Sequence, residues 1–180
     1  MANSIEESIR SEFMRAYAKE RMDCITVKGL CAAVPVARTT FYSHYRNVDD
    51  VLEDVEDRLL SGLAEITERV SGGNLPHMDF GVFLDETFGF IKANWSDFRA
   101  LLVVQPDMRF ITKWKSAVKR NFSRRYPAAC MQPNWGLLAE MGASAVIGAY
   151  TYWMEHPDAS NVEDAKHLID RTLAAIMASI

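Results

Sequence analysis

Residues 25–46 read Ile-Thr-Val-Lys-Gly-Leu-Cys-Ala-Ala-Val-Pro-Val-Ala-Arg-Thr-Thr-Phe-Tyr-Ser-His-Tyr-Arg, and their reading decides the fold. Thr26 is a good N-cap for a helix whose apolar positions Val27, Leu30 and Cys31 recur at helical spacing. Its last turn, Ala32, Ala33 and Val34, is small enough for a neighbour to approach closely. Pro35 stops it, because proline lacks an amide donor and biases Val34 away from the helical region. A second short helix is predicted to begin near Val36 and run through Tyr42, with Val36 and Phe41 inward, Tyr45 closing its end, and Arg38, Thr39, Tyr42 and Ser43 outward. Two short helices joined by a tight turn, the second carrying hydroxyls and a cation outward, present a helix to a DNA groove.

The run Thr26-Val27-x-x-Leu30-x-x-Ala33-x-x-Val36-x-Arg38-x-Thr40-Phe41-Tyr42-x-His44-Tyr45, followed by an acidic amphipathic helix from Asn47, resembles the N-terminal helix-turn-helix of TetR-type transcriptional repressors. The likeness covers roughly residues 8–60 and fixes many residue types at set spacings. Three positions depart from the pattern. The usual turn glycine is Pro35, the hydroxyl residue that usually caps the second helix is Ala37, and the lysine often found at the start of the next helix is Val48. Loss of the hydroxyl cap lowers helix stability by about 1 kcal/mol, and a phosphate contact usually made by that lysine is either missing or supplied by Arg46.

Outward from this motif, the chain reads as helix throughout. Ile5, Ile9, Phe13 and Ala16 mark a first helix ending before Asp23. Asn47 caps a long helix with Asp49 and Asp50 in its first turn, where acids suit the positive end of the dipole, and Val51, Leu52, Val55, Leu59, Leu63, Ile66 and Val70 as its stripe. Ser71-Gly72-Gly73-Asn74-Leu75-Pro76 breaks the chain. Further helices are expected from Phe80 to near Trp95, from a cap at Ser96 through Leu102, from Asp107 to about Arg124, from Asn134 to His156 and from Asn161 to Ile180. No strand-like alternation or internal repeat occurs. The expected fold is all-α with about nine helices. Residues 1–47 form a three-helix helix-turn-helix head, and 48–180 a second domain reached by a bridging helix over 48–70.

The composition is that of a globular domain, with 49% hydrophobic and 24% charged residues among 180. No apolar run approaches the ~20 residues of a membrane span, and the first residues lack a basic start and an apolar signal core, so a cytoplasmic protein is expected, with no membrane partner. The net charge of −4 hides an uneven distribution. Residues 1–47 hold seven Lys/Arg against five Asp/Glu, and residues 48–70 hold two against eight. A mildly basic head followed by an acidic helix suits binding through a small, defined face.

Enzyme chemistry finds no support. His77, His156 and His167 are scattered, no Cys or carboxylate stands at ligand spacing to them, and the carboxylates of residues 49–57 read as a solvated helix face. Cys24, Cys31 and Cys130 are odd in number and without metal-type spacing, so neither a disulfide framework nor a metal site is expected, and no cofactor is implied. Cys31 reads as a core thiol and Cys24 as a loop thiol.

Two further surfaces complete the reading. Gly142, Ala143, Ala145, Gly148 and Ala149 crowd one region of the penultimate helix, and Leu168, Ile169, Thr172, Leu173 and Ile176 stripe the last. Such a pair can bury its stripe against a symmetry mate, and the resemblance implies this homodimer, with Ala145, Gly148, Leu168, Thr172, Leu173 and Ile176 at the interface. Residues 80–153 are rich in aromatic and methionine side chains, which serve equally as core or as pocket wall. The resemblance implies a small-molecule effector cavity there, bounded by Phe88, Trp95, Trp114, Val118, Tyr150 and Trp153. In the head, Arg38 is expected to reach guanine acceptors or phosphate, and Thr39 a base edge or a thymine methyl. The resemblance implies that Thr40, Tyr42 and His44 hold backbone phosphates, with Thr26 and Lys28 doing so from the first short helix and Arg46 from beyond the second. A packing role for His44 is equally open. The expectation is thus a DNA-binding repressor released from a palindromic double-stranded operator by a small molecule. The alternatives are a ligand-independent DNA-binding dimer and a helical dimeric protein-interaction module.

Overall fold

The computed structural model describes residues 4–158 and 161–177, so the expected helix end at 178–180, residues 159–160 of the preceding break and the first three residues of the chain lie outside them. Among the described residues there are nine α-helices and no strand. They are α1 (Ile5–Tyr17), α2 (Val27–Ala33), α3 (Arg38–His44), α4 (Val48–Ser71), α5 (Phe80–Ala93), α6 (Trp95–Arg99), α7 (Met108–Arg125), α8 (Trp135–Glu155) and α9 (Val162–Met177). Short 3-10 turns fill several connections, and a π-helical turn over Ala100–Val104 follows α6.

Caps fix most helix starts. The side chains of Ser4, Thr26, Asp79 and Asp107 accept amide hydrogen bonds from the first turns of α1, α2, α5 and α7, and Asn47 Oδ1 accepts from Asp50 N at 2.9 Å at the start of α4. Ala37, at the start of α3, makes no side-chain cap bond. Past α4, Gly72 and Gly73 take φ of 55° and 82°, the left-handed region that ends helices and favours glycine. Ser96 lies inside α6 and not at its cap, its hydroxyl turning to Asp97 Oδ1 at 3.2 Å.

The chain divides into two compact units. The first holds the residues up to Leu59 together with Ser96–Pro106, and the second holds Leu60–Trp95 and the residues from Asp107 onward. Helix α4 contributes its first half to one and its second half to the other. The first unit buries Ile9, Phe13, Leu30, Phe41, Val51, Leu52 and Val55 with Phe98, Leu101 and Leu102 from the second segment. At its edge Asp54 accepts from Arg10 Nη1 at 2.7 Å and from the Tyr45 phenol at 2.6 Å, which ties α1, α4 and the end of α3 together. Burial of the Tyr45 phenol, with Asp54 beside it, pushes its pKa up to about 12. The acidic face of α4 is not wholly solvated: Glu56 is fully buried. Cys31 is half-buried, not core.

In the second unit α7 and α8 approach closely because α8 carries Gly142, where an added Cβ would stand 2.7 Å from the Phe122 ring. Glu140 of α8 takes hydrogen bonds from Lys115 at 3.0 Å and Lys119 at 2.8 Å, one turn apart on α7, and these pull its pKa down to about 2. Lys166 of α9 reaches Asp85 of α5 at 2.6 Å. None of the described helices is long and apolar enough to cross a membrane.

Candidate nucleic-acid interface and internal cavity

Helices α2 and α3 are joined across Val34–Ala37, where Val36 N donates to Val34 O and so closes a γ-turn centred on Pro35. This is how proline stands where a glycine is usual: the turn needs a fixed negative φ, not a positive one. Phe41, fully buried, anchors α3 to the head, and truncating such a side chain costs about 3–5 kcal/mol. The residues around it on α3 then face solvent. Arg38, Thr39, Ser43 and His44 are exposed, and Tyr42 is 56% exposed with its ring edge-on to Phe41. Thr40 is half-buried and its carbonyl accepts the Ser43 hydroxyl at 2.7 Å.

The flanking sites are also in place. Thr26 is exposed and already occupied as the α2 cap, accepting from Gly29 N at 3.1 Å, and Lys28 stands free in the first turn. His44 Nδ1 lies 2.9 Å from Glu6 Oε1 of α1, which leaves Nε2 as the nitrogen open to another partner. Arg46 is 84% exposed and chelated by Asp50, through Nε at 2.8 Å and Nη2 at 2.9 Å. Water screens a pair at the surface, so Arg46 can leave Asp50 for a phosphate at small cost.

The second unit contains a cavity of about 220 Å³. Trp114, Val118 and Tyr150 line it, together with Leu63 and Thr67 of α4 and Leu84 and Thr87 of α5. Phe88, Trp95 and Trp153 are not in its wall. They form an aromatic cluster with Tyr150, with ring centroids 4.9 Å apart for Phe88–Tyr150, 5.0 Å for Phe88–Trp153 and 4.8 Å for Trp95–Trp153. Helical spacing places an aromatic residue on the inner face without telling whether that face meets a void or another ring. Sequence reasoning missed the rest of the wall, and with it the polar members Thr87, Arg120, Arg124 and Arg125. The signal for the arginines was a basic group at helical spacing on the same helix as Trp114 and Val118.

On α8 and α9 the small-residue patch splits into two faces. Gly142 and Ala143 are buried in the chain's own core, as are Ile169 and Leu173, the last with a methyl 3.5 Å from a Cβ built at Gly142. Leu173 thus belongs to the core of its own subunit, not to an open face. Gly148 is exposed with nothing within 4 Å of an added Cβ, and Leu168 and Thr172 are exposed, while Ala145 and Ile176 are half-buried. Leu137, Met141, Gly148 and Tyr152 continue as one exposed stripe along α8, the two leucines at 137 and 168 being 65% and 60% exposed.

Among the described residues no group of three or more His, Cys, Asp or Glu is placed to hold a metal ion. No family model matches the chain, and no curated protein matches it. Solved structures do. The fatty acid degradation regulator FadR from Bacillus halodurans is 11% identical with a TM-score of 0.70, covering 96% of each chain. A TetR transcriptional regulator from Streptococcus agalactiae is 20% identical with a TM-score of 0.67, over 92% of this chain and 91% of that one. A TetR-family regulator from Streptomyces coelicolor is 14% identical with a TM-score of 0.62, over 97% and 80%. At these identities the shared property is the fold: the chain has the all-helical fold of TetR-type regulators.

Proposed function

We propose that this chain is a homodimeric, cytoplasmic DNA-binding transcriptional regulator of the TetR type, a repressor that leaves a palindromic operator when a small molecule fills its internal cavity, and that it is not an enzyme. The observation that carries the reading is the exposed face of α3: Arg38, Thr39 and Tyr42 are exposed on a helix anchored by Phe41, and packing among the described residues gives Arg38 and Thr39 no role. On this reading residues 1–47 are the DNA-binding domain. Arg38 reaches guanine acceptors and Thr39 a base edge or thymine methyl, while Thr26, Lys28, Thr40, Tyr42, His44 and Arg46 hold phosphates.

Residues 48–180 dimerise and sense. The open stripe of α8 and α9 supports a four-helix interface with a second copy, which supplies the two heads that a two-fold operator requires. Helix α4 supports coupling, because Leu60, Leu63 and Thr67 line the cavity and the same helix runs unbroken from Val48 in the head unit. A ligand that binds one setting of this helix better than another shifts the spacing of the heads, which suits DNA near one helical turn, roughly 34–36 Å. The cavity favours this reading over a ligand-independent dimer. Selection from random duplexes with the purified protein tests it: enrichment of a two-fold symmetric site supports the proposal, and recovery of no common sequence overturns it.

A further inference from the structure

Thr87 departs from what Thr67, Thr112 and Thr151 do inside their helices. A threonine hydroxyl inside a helix commonly turns back to the carbonyl four residues earlier. Thr67 does so to Leu63 at 3.0 Å, Thr112 to Met108 at 2.6 Å and Thr151 to Ile147 at 2.9 Å. Thr87 lies in the cavity wall, is 4% exposed, and its Oγ1 has no hydrogen-bond partner among the described residues. Tyr150, also in the wall, is 1% exposed, and burial alone pushes the pKa of its phenol up. An apolar chamber thus keeps two hydroxyls in hand, and a dry hydroxyl is unfavourable until something bonds it.

The mouth of the chamber has a sign. Wall residues that also reach solvent are Ala64 and Glu68 on α4 and Arg120 and Arg124 on α7, so the opening lies between those helices. Arg124 crosses it to Glu68 at 2.6 Å. Arg125, half-buried, gives its Nη1 to the carbonyls of Leu75 and Met78 and stacks on Phe80, and among the described residues it meets no carboxylate. Glu68 is the sole acid in a wall that holds three arginines. Such an excess of half-buried and rim cations suits an anion, and arginine binds carboxylates with directional, charge-assisted hydrogen bonds.

We propose that the cavity takes an amphipathic monocarboxylate with a second hydrogen-bonding group on its apolar body. Its carboxylate sits at Arg120 and Arg124, with Arg124 exchanging Glu68 for the ligand. The apolar body lies against Leu84, Trp114 and Val118, and the second polar group meets Thr87 or Tyr150. A volume of about 220 Å³ holds roughly seven water-sized groups at ~30 Å³ each, which points to an apolar body of about seven carbons beyond a carboxylate held at the mouth. This ligand class rests on reading the cavity as the effector site.

Calorimetry with octanoate, ω-hydroxyoctanoate, octan-1-ol and octylamine tests it on the full-length protein. Octanoate is expected to bind at least ~10-fold more tightly than the alcohol, and the amine not at all, as the charge-assisted contact requires. ω-Hydroxyoctanoate is expected to bind most tightly, and Thr87→Val to bring it down to the level of octanoate. Arg120→Gln combined with Arg124→Gln should erase the preference for acid over alcohol. Equal affinities for acid and alcohol, an unchanged preference in the double variant, or no binding of any eight-carbon probe would overturn the ligand class. The same preparation is titrated with the selected duplex. DNA binding without carboxylate binding defeats this inference alone, whereas absence of sequence-specific DNA binding defeats the proposed function.

Discussion

Tyr17 and Gln105, 88 residues apart, hold each other twice: the Tyr17 phenol donates to the Gln105 carbonyl at 3.2 Å, and the Gln105 side-chain amide donates to the Tyr17 carbonyl. The same amide reaches the Glu20 carbonyl at 2.6 Å, so one side chain satisfies the last carbonyl of α1 and a second three residues beyond it. Gln105 closes the π-helical turn and stands two residues before Asp107, the cap of α7, which lines the cavity. Gln105→Ala is expected to lower unfolding free energy by about 1–2 kcal/mol in denaturant titration. Gln105→Glu should not rescue it, because a carboxylate cannot donate to those carbonyls. Both variants should also show a smaller loss of operator affinity on adding ligand than the parent chain. A ligand response of full size in both would separate this clamp from signalling.

The exposed face of α3 makes a sharper prediction. Arg38→Ala should weaken binding to the selected operator by about 1–3 kcal/mol and relax preference at one position of each half-site. Tyr42→Phe, which removes only the hydroxyl, should reduce affinity alike for all sequences and leave preference intact. Anisotropy titrations against the operator and single-base variants distinguish the two behaviours. Unchanged affinity in both proteins would remove α3 from the interface.

Assembly is predicted to rest on the outer stripe and not on the buried half of the small-residue patch. Gly148→Trp and Leu168→Glu place bulk and charge on exposed positions and should yield folded monomers in sedimentation, with weaker operator binding because two linked heads no longer act together. Leu173→Ala, a truncation in the core, should lower stability by about 2–5 kcal/mol while the remaining folded protein stays dimeric. Dimers surviving both outer substitutions would put the interface elsewhere.

A pH dependence follows from Asp54. Burial pushes its carboxyl pKa up, but hydrogen bonds from the Tyr45 phenol and the Arg10 guanidinium outweigh it and hold the group below the usual carboxylate range. The carboxylate is therefore more readily ionised in the folded than in the unfolded chain. Its contribution is fully present above the ordinary value near ~4 and is lost as pH falls through the lower folded one. The melting temperature of the parent chain should thus fall more steeply below pH ~4 than that of Asp54→Asn, whose curve lies lower at neutral pH. Parallel curves would show that the network does not stabilise the charged form.

Much of the head is legible in the sequence because local chemistry and packing agree there. Thr26 and Asn47 cap where their side chains can only be caps, Phe41 is the apolar position of a short polar helix, and Gly72 marks the left-handed end of α4. The π-helical turn at Ala100–Val104 carries no such mark, since ALLVV suits any buried backbone. The second unit is harder for a physical reason. Periodicity tells which face of a helix is inward, but Trp114 borders empty space while Trp153 packs on Phe88 and Trp95, and that difference arises only when helices meet. Gly142 and Gly148 look alike in sequence, yet one faces Phe122 and the other faces solvent. Thr87 was invisible for the opposite reason: its significance lies in a bond it does not make.

The most direct measurement compares the selected operator with a scrambled duplex of the same composition, titrated at one physiological salt concentration into dimeric protein. Sequence-specific reading by the α3 helices predicts a preference of at least ~1,000-fold for the operator, with most of it lost in Arg38→Ala. Equal affinity for the two duplexes would contradict it.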